Sequence, residues 1–382
     1  MEGTVAVSDA PLPARAGVRF RDLSVPEGPL RAGLRAAFER VLDHGMLLMG
    51  PEVEAFESTF AAYCGVGDCI GVASGTSALY LALRALGIGP GDEVITTAMS
   101  WIATANAIAA AGAVPVFADI GDDLNIDAET IPPLLTTRTR AILPVHYTGR
   151  LCDMQAIGAI ASANGLRVIE DAAQAAGART AAGRHAGSFG HAGAFSLNPM
   201  KLLPGYGEAG AVVTSDPELR PRIEAMRYLG TVDREICHEV ELNHKMDALQ
   251  AAFLIEGMKC LPQIIERRQQ IAARYAAGLA DVVACPSLDG PEGSRPVFFD
   301  FTVEVAERDR LREALAGAGI ETKIRHPILM CDQPAYRHLP PTPVPRARQA
   351  VARILSLPIH EKMSDPEVDR VIAAIRKFHD AG

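Results

Sequence analysis

Basic residues are in deficit: 37 Lys and Arg face 46 Asp and Glu, giving a net charge of −9 and a pI near 5.6. Nucleic acids and anionic membranes both select clustered positive charge, so this scattered acidity argues against either partner. Cysteine-pairing signals are missing too. The seven cysteines (Cys64, Cys69, Cys152, Cys237, Cys260, Cys285 and Cys331) are odd in number and dispersed. With no CxxC and no matching His spacing, no metal site is expected. They read as reduced thiols of a cytoplasmic protein. The N-terminal MEGTVAVSDAPLPARAG lacks a charged segment leading into an apolar one, so no secretion signal is visible. No run is apolar enough to span a bilayer. Val94 to Ala118 is uncharged, but Thr96, Thr97, Ser100, Thr104, Asn106, Gly112 and Pro115 interrupt it, and it reads as strand, helix, strand. Repeats and low-complexity linkers are absent. Aromatics make only 5% of the chain, and tryptophan occurs once, at Trp101.

What remains is a soluble, enzyme-sized chain of 382 residues, 48% hydrophobic, long enough for two or three domains at roughly 100–200 residues each. Two helices, about 28–43 and 51–64, precede an alternating region from about 65 to 215. There IGVA (70–73), GDEVITT (91–97), VPVFADI (114–120), AILPVH (141–146) and LRVIED (166–171) are continuous apolar runs, as strands buried on both faces require. Helices at 76–86 and 102–111 between them imply right-handed crossovers and a mostly parallel sheet. AGAFSL (192–197) and GAVVTSD (210–216) have no long helix between them and read as loop-joined neighbours. Beyond Pro217 the pattern predicts helices over 218–228 and 246–279, and an alternating strand over 297–305. A helix over 308–318, a strand near Glu321, and helices near 344–354 and 365–378 follow. The expected fold class is α/β: a large domain with a mostly parallel sheet flanked by helices, plus a smaller C-terminal α+β domain. The expected division is a disordered tail at 1–18, the large domain at 19–260 and the small one at 261–382.

Ligands of open parallel sheets sit beyond the carboxyl ends of the strands. Ser74, Gly75, Thr76 and Ser77 end the first strand and open a helix, where hydroxyls, free N–H groups and the helix dipole suit a phosphate; an ordinary N-cap uses the same residues. Trp101 follows the second strand, where it either packs or stacks on a planar ring. His146 follows the fourth strand, Asp171 ends the fifth with Gln174 three residues on, and Ser196 ends the sixth. Lys201, in FSLNPMK, carries the argument. A lysine beside a buried strand, together with Asp171, is the pair that pyridoxal 5′-phosphate needs: an amine for its Schiff base and a carboxylate to keep its pyridine nitrogen protonated.

The chain resembles the DegT/DnrJ/StrS family of sugar aminotransferases, which have the pyridoxal-phosphate fold type I architecture. The resemblance runs from about Leu42 to near the end. It rests on GPEVEAFESTFAAYCG, VASGTSALYLALRALGIGPGDEVI, GAVPVFADI, VIEDAAQAAGA, GSFGHAGAFSLNPMK, GEAGAVVTSD, NHKMDALQAA and LSLPIH. It implies Lys201 as the Schiff-base lysine and proton carrier, Asp171 as pyridinium partner, Gln174 near the 3-hydroxyl and Trp101 stacked on the ring. Thr76, Ser77 and Ser196 would bind phosphate, as would Asn243 from the other subunit of a homodimer. The implied reaction moves an amine from glutamate or glutamine to a keto sugar, in the commonest branch a nucleotide-linked keto-deoxy sugar. A keto-cyclitol or aminoshikimate-type acceptor is the alternative. A sugar dehydratase would have histidine for Lys201, and a non-catalytic regulator would have lost Lys201 or Asp171. Three departures bear on the substrate, for which Tyr206, Lys245 and His326 are the candidate residues. The loop LLPGYGEAG carries one extra residue. Lys245 stands where arginine is commoner. Arg325-His326-Pro327 resembles a His-Tyr-Pro segment without its tyrosine.

Overall fold

The computed structural model describes residues 17–233 and 235–380. Helices α1 (Pro29–His44) and α2 (Pro51–Cys64) lead into β1 (Asp68–Val72), α3 (Gly75–Ala85), β2 (Glu93–Thr97), α4 (Ala103–Ala110) and β3 (Val114–Ala118). Then come β4 (Thr139–Leu143), α5 (Met154–Ala163), β5 (Arg167–Asp171), β6 (Ala192–Ser196), β7 (Gly210–Thr214) and α6 (Leu219–Arg227). A short hairpin, β8 (Thr231–Val232) and β9 (Ile236–Cys237), precedes α7 (Ala248–Met258) and α8 (Leu261–Leu279). The C-terminal part holds β10 (Phe301–Glu304), α9 (Arg308–Gly317), α10 (Pro345–Arg353), β11 (Ile354–Leu357) and α11 (Asp365–Asp380).

Seven strands form one sheet in the order β1-β7-β6-β5-β4-β2-β3. β7 runs antiparallel to both β1 and β6, and the other pairings are parallel. The reversal follows from the connection between β6 and β7, which contains no helix and so cannot make a parallel crossover. The sheet is covered on both faces. Leu79 and Leu83 of α3 join Ile223 and Met226 of α6 in one core, while Phe56 and Phe60 of α2 meet Leu254 of α7 in the other. β1 lies at the sheet edge, and buried charges close it: Gly71 N–H donates to Glu57 Oε1 at 2.8 Å, and Arg227, paired with Glu57, donates to the Gly71 carbonyl at 3.0 Å. An edge with its backbone groups satisfied offers no template for a foreign strand. β10 and β11 pair antiparallel, and α8, α9 and α11 pack around them through Tyr275, Leu311, Val371 and Ile375. Among the described residues, no helix is long and apolar enough to cross a membrane.

Four expectations need correction. The helix over 246–279 is two helices, because Pro262 in the first turn of α8 removes an N–H that a continuous helix would need. The strand over 297–305 shortens to β10. Phe298 has φ of +49°, and it faces a different core from Val297 and Phe299, so the chain crosses between cores there instead of extending. Near Glu321 there are, among the described residues, only single-residue pairings, Val18 with Ile320 and Lys323 with Ser356. The tail also ends earlier: residues 1–16 lie outside those described, but Val18 is buried and donates to the Gly319 carbonyl at 2.9 Å. Residues 19–22, placed with the large domain by sequence, run along the C-terminal part, where Phe20 N–H donates to Glu321.

Candidate active site

The sheet's carboxyl edge gathers most of the expected residues. Asp171 ends β5, buried, with its two oxygens held separately: Thr104 donates its hydroxyl to Oδ2 at 2.8 Å and Ala173 N–H donates to Oδ1 at 3.1 Å. Burial raises its pKa, against those hydrogen bonds and the attraction of Lys201. Lys201, in the loop after β6, has its pKa brought down to about 8. Burial is the main cause; Asp171 opposes it, and Arg325 reinforces it. Each group is thus held towards its neutral form, because desolvation outweighs their mutual attraction. Lys201 Nζ lies 5.0 Å from the centroid of the Phe299 ring.

The N-terminus of α3 forms a cup. Ser74 caps the helix, accepting from Ser77 N–H at 3.1 Å, and its hydroxyl lies 3.0 Å from that of Ser77. Gly75 has to be glycine: a Cβ there would lie 2.5 Å from Cβ of Ser196. The same is true of Gly210 in β7, where a Cβ would meet the Ser74 carbonyl carbon at 2.3 Å. This close approach brings Ser196 against the first turn of α3, while Thr76 stays exposed. First-turn N–H groups have no acceptor within their own helix, so the cup can hold an anion. Gln174 is buried and accepts from Thr148 N–H at 2.9 Å. Trp101 is 62% exposed and its ring lies 5.9 Å from that of His326, which has φ of +48°. Burial is the main cause that lowers the His326 pKa to about 4, so the ring is neutral. Tyr206 packs edge-on against Phe253 at 5.3 Å and lines the same cleft, of about 540 Å³, as Lys201. A larger groove, about 730 Å³, lies by α2 and α6; its Glu57 and Arg220 are already paired and it reaches none of these residues.

Some expectations fall elsewhere. His146 does not face a ligand: its Nδ1 accepts from Cys152 N–H at 3.1 Å, so Nε2 carries the proton and meets Glu170 at 2.8 Å. Glu170 also accepts three backbone N–H bonds, from Gly187, Phe189 and Gly190, making the pair a fully buried brace behind Asp171. Asn243 is exposed and accepts from its own Lys245 N–H at 3.2 Å. Lys245 Nζ sits 3.8 Å from the centroid of Tyr228. Sequence reasoning missed Thr104, whose only signal was its place one turn beyond Trp101. It missed His244, whose Nδ1 lies 3.0 Å from the Ser77 hydroxyl, and it missed Arg21, Asp300 and Phe299 entirely.

The cup, the buried carboxylate and the amine held towards its neutral form fit pyridoxal phosphate: an anion site, a partner for a protonated ring nitrogen and a nucleophile, with glycine where a side chain would fill the space. A sequence model of the DegT/DnrJ/EryC1/StrS aminotransferase family matches residues 30–376. The chain is 42% identical over 371 residues to the dTDP-3-amino-3,4,6-trideoxy-alpha-D-glucose transaminase of Streptomyces venezuelae, covering 94% of this chain and 96% of that one. It is 40% identical to the erythromycin biosynthesis sensory transduction protein EryC1 of Saccharopolyspora erythraea, covering 94% and 99%. Among solved structures, S. venezuelae DesV, in complex with a ketimine intermediate, superposes with a TM-score of 0.91 at 41% identity, covering 95% of this chain and 99% of that one.

Proposed function

The chain belongs to the DegT/DnrJ/EryC1/StrS aminotransferase family, and from that premise we propose that it aminates a keto sugar carried on a nucleotide, with glutamate or glutamine as donor. It is a pyridoxal-phosphate-dependent aminotransferase of fold type I. The observation that carries the proposal is the pair Lys201 and Asp171 on one sheet edge, opposite the α3 cup. A relative named for sensory transduction does not favour a regulatory role here, because a regulator has no need of a lysine tuned towards its neutral form.

When bound, the cofactor supplies an electron sink for the carbon that loses or gains a proton. Asp171 holds the ring nitrogen's proton, and Ser74, Gly75, Thr76, Ser77 and Ser196 hold the phosphate. Gln174 would lie beside the ring, and Trp101 would cover it. Lys201 would hold the cofactor and, with its amine free, would take a proton from the donor's α-carbon and return it, acting as general base and then acid. His326 and Tyr206 border the acceptor, at the mouth shaped by the longer 202–210 loop; Lys245 contributes a point charge. The test is a panel of nucleotide keto sugars and keto-cyclitols. Glutamate or glutamine is expected to bleach the bound cofactor's visible absorbance, and a nucleotide keto sugar to restore it. Restoration only by a keto-cyclitol would overturn the acceptor, and no bleaching by any amino donor would overturn the reaction.

The active unit is a homodimer whose sites are shared. Supporting this are exposed apolar residues at Leu42, Met46, Leu47 and Leu48, and at Ile236, Val240 and Leu242, together with the exposure of Asn243, the residue that would reach the neighbouring subunit's phosphate. Asn243→Ala is expected to weaken cofactor binding by about 1–3 kcal/mol. Mixing it with inactive Lys201→Ala restores one site containing both intact residues, so activity should rise above the Asn243→Ala level. Activity equal to the dilution average would place Asn243 within its own chain's site.

A further inference from the structure

Two arginines far apart in sequence converge on one buried carboxylate next to Lys201. Arg21 Nη2 lies 3.0 Å from Asp300 Oδ1. Arg325 Nη2 lies 3.0 Å from the same oxygen, and its Nε lies 2.8 Å from Oδ2. Arg21 Nη2 also donates to the Phe299 carbonyl. Asp300 therefore faces two guanidinium groups with a single negative charge. The nearby Arg268 does not change this balance, because Glu361 pairs with it at 3.4 Å. His326 is neutral. One positive charge is left over in a site where the side chain of Arg21 is 6% exposed.

The Phe299 ring locates that surplus. Arg21 Cζ lies 4.5 Å from its centroid, Lys201 Nζ 5.0 Å and Arg325 Cζ 5.4 Å. The aromatic ring accounts for cations resting on its face, but not for N–H groups at the guanidinium edges. Among the described residues, Arg21 Nε and Nη1 are buried without a hydrogen-bond partner, although almost all buried polar atoms have one. Arg21 and Lys201 line the same cleft. An unpaired, buried guanidinium edge calls for an anion with planar acceptors.

We propose that Arg21 and Arg325, both anchored on Asp300, form a carboxylate-binding subsite beside Lys201. The proposal rests on the aminotransferase reading and deepens it. An amino-acid donor must place the α-carbon that Lys201 deprotonates next to that amine, and its carboxylate is one bond away. The subsite lies where such a carboxylate falls. A carboxylate on the acceptor sugar is the other source of the same chemistry. The 325–327 departure from the family pattern puts a guanidinium at this point, and Arg21 reaches it from the N-terminal segment.

The experiment uses holoenzyme and the variants Arg21→Gln, Arg21→Lys and Arg325→Gln, each checked for folding by thermal melting. Glutarate, which has carboxylates but no amine, is titrated while Trp101 fluorescence is followed; single-turnover bleaching by glutamate is measured separately. In Arg21→Gln and Arg325→Gln, half-saturation for glutarate and glutamate should rise about tenfold to a hundredfold. The cofactor affinity and the KM of a neutral keto sugar should stay unchanged. Lysine at position 21 should recover part of the loss, because it restores charge but not the planar fork. If glutamate is unaffected and only a keto-hexuronate binds more weakly, the subsite is still a carboxylate site and belongs to the acceptor. If neither carboxylate substrate is affected, the arginine pair is structural and the proposal is wrong. Should wild-type enzyme fail to bleach with any amino donor, the functional reading falls, yet glutarate binding still decides this inference by itself.

Discussion

Lys201→Ala is expected to lower transamination by about 10⁴-fold, the upper end for loss of a positioned acid–base group, while the cofactor still binds through the cup at α3. The argument begins with charge. An ordinary lysine is almost entirely protonated at neutral pH and can neither attack a carbonyl carbon nor accept a proton. Burial brings Lys201 down to about 8, so that roughly one molecule in ten is neutral at pH 7. The neutral fraction grows as pH rises through 8, so capture of free cofactor by apoenzyme should accelerate with pH and level off above it. Asp171 works against burial, since its negative charge favours the ammonium form. Arg325 and Arg21 favour the neutral amine, and Asp300 favours the charged one. Borohydride reduction should fix the cofactor on the wild-type chain and not on Lys201→Ala. Turnover by that variant without an added amine would remove Lys201 from the reaction.

The parts of this site readable in advance were those that depend on local chain order. Strands buried on both faces need unbroken apolar runs, so β2, β3, β4 and β5 could be found by composition. Residues just past their ends then share the ligand edge through topology alone, which is why Ser74, Trp101, Asp171 and Lys201 could be grouped. His146 shows the limit of that reasoning: backbone position does not say where a ring turns, and here Cys152 N–H and Glu170 draw it inward. Arg21, Asp300 and Arg325 could not be grouped at all. Their sequence separations are 279 and 25 residues, and what unites them is packing of residues 18–22 along the C-terminal part. A helix-period pattern likewise runs on through Cys260 because α7 and α8 each bury a stripe, although Pro262 ends the hydrogen-bond ladder between them.

Asp171→Asn separates what the site does from what it costs the fold. Activity is expected to fall by on the order of 10²-fold or more, the loss typical when one charge-stabilising group leaves a reaction centre. Asparagine cannot hold the ring nitrogen's proton, so the electron sink weakens. The hydrogen bonds around it can be kept. Ala173 N–H has to be met by the amide oxygen, and the amide NH2 then faces Thr104, whose hydroxyl can turn to accept and direct its own proton to Ser100, 3.3 Å away. Stability should move the other way. Burial raises the Asp171 pKa in the folded chain above its unfolded value, so the folded state binds this proton more tightly. The wild-type apoenzyme therefore loses stability as pH rises through the window between those two values, and the deficit persists at neutral pH. Neutral asparagine carries no such term. Apo Asp171→Asn should melt at the same temperature as wild type or higher at pH 7, with any advantage vanishing as pH falls below about 4, the ordinary aspartate value. A variant that lost activity and also melted lower at pH 7 would make Asp171 a structural cap on the turn after β5. One that kept full activity would show that the ring nitrogen needs no carboxylate here.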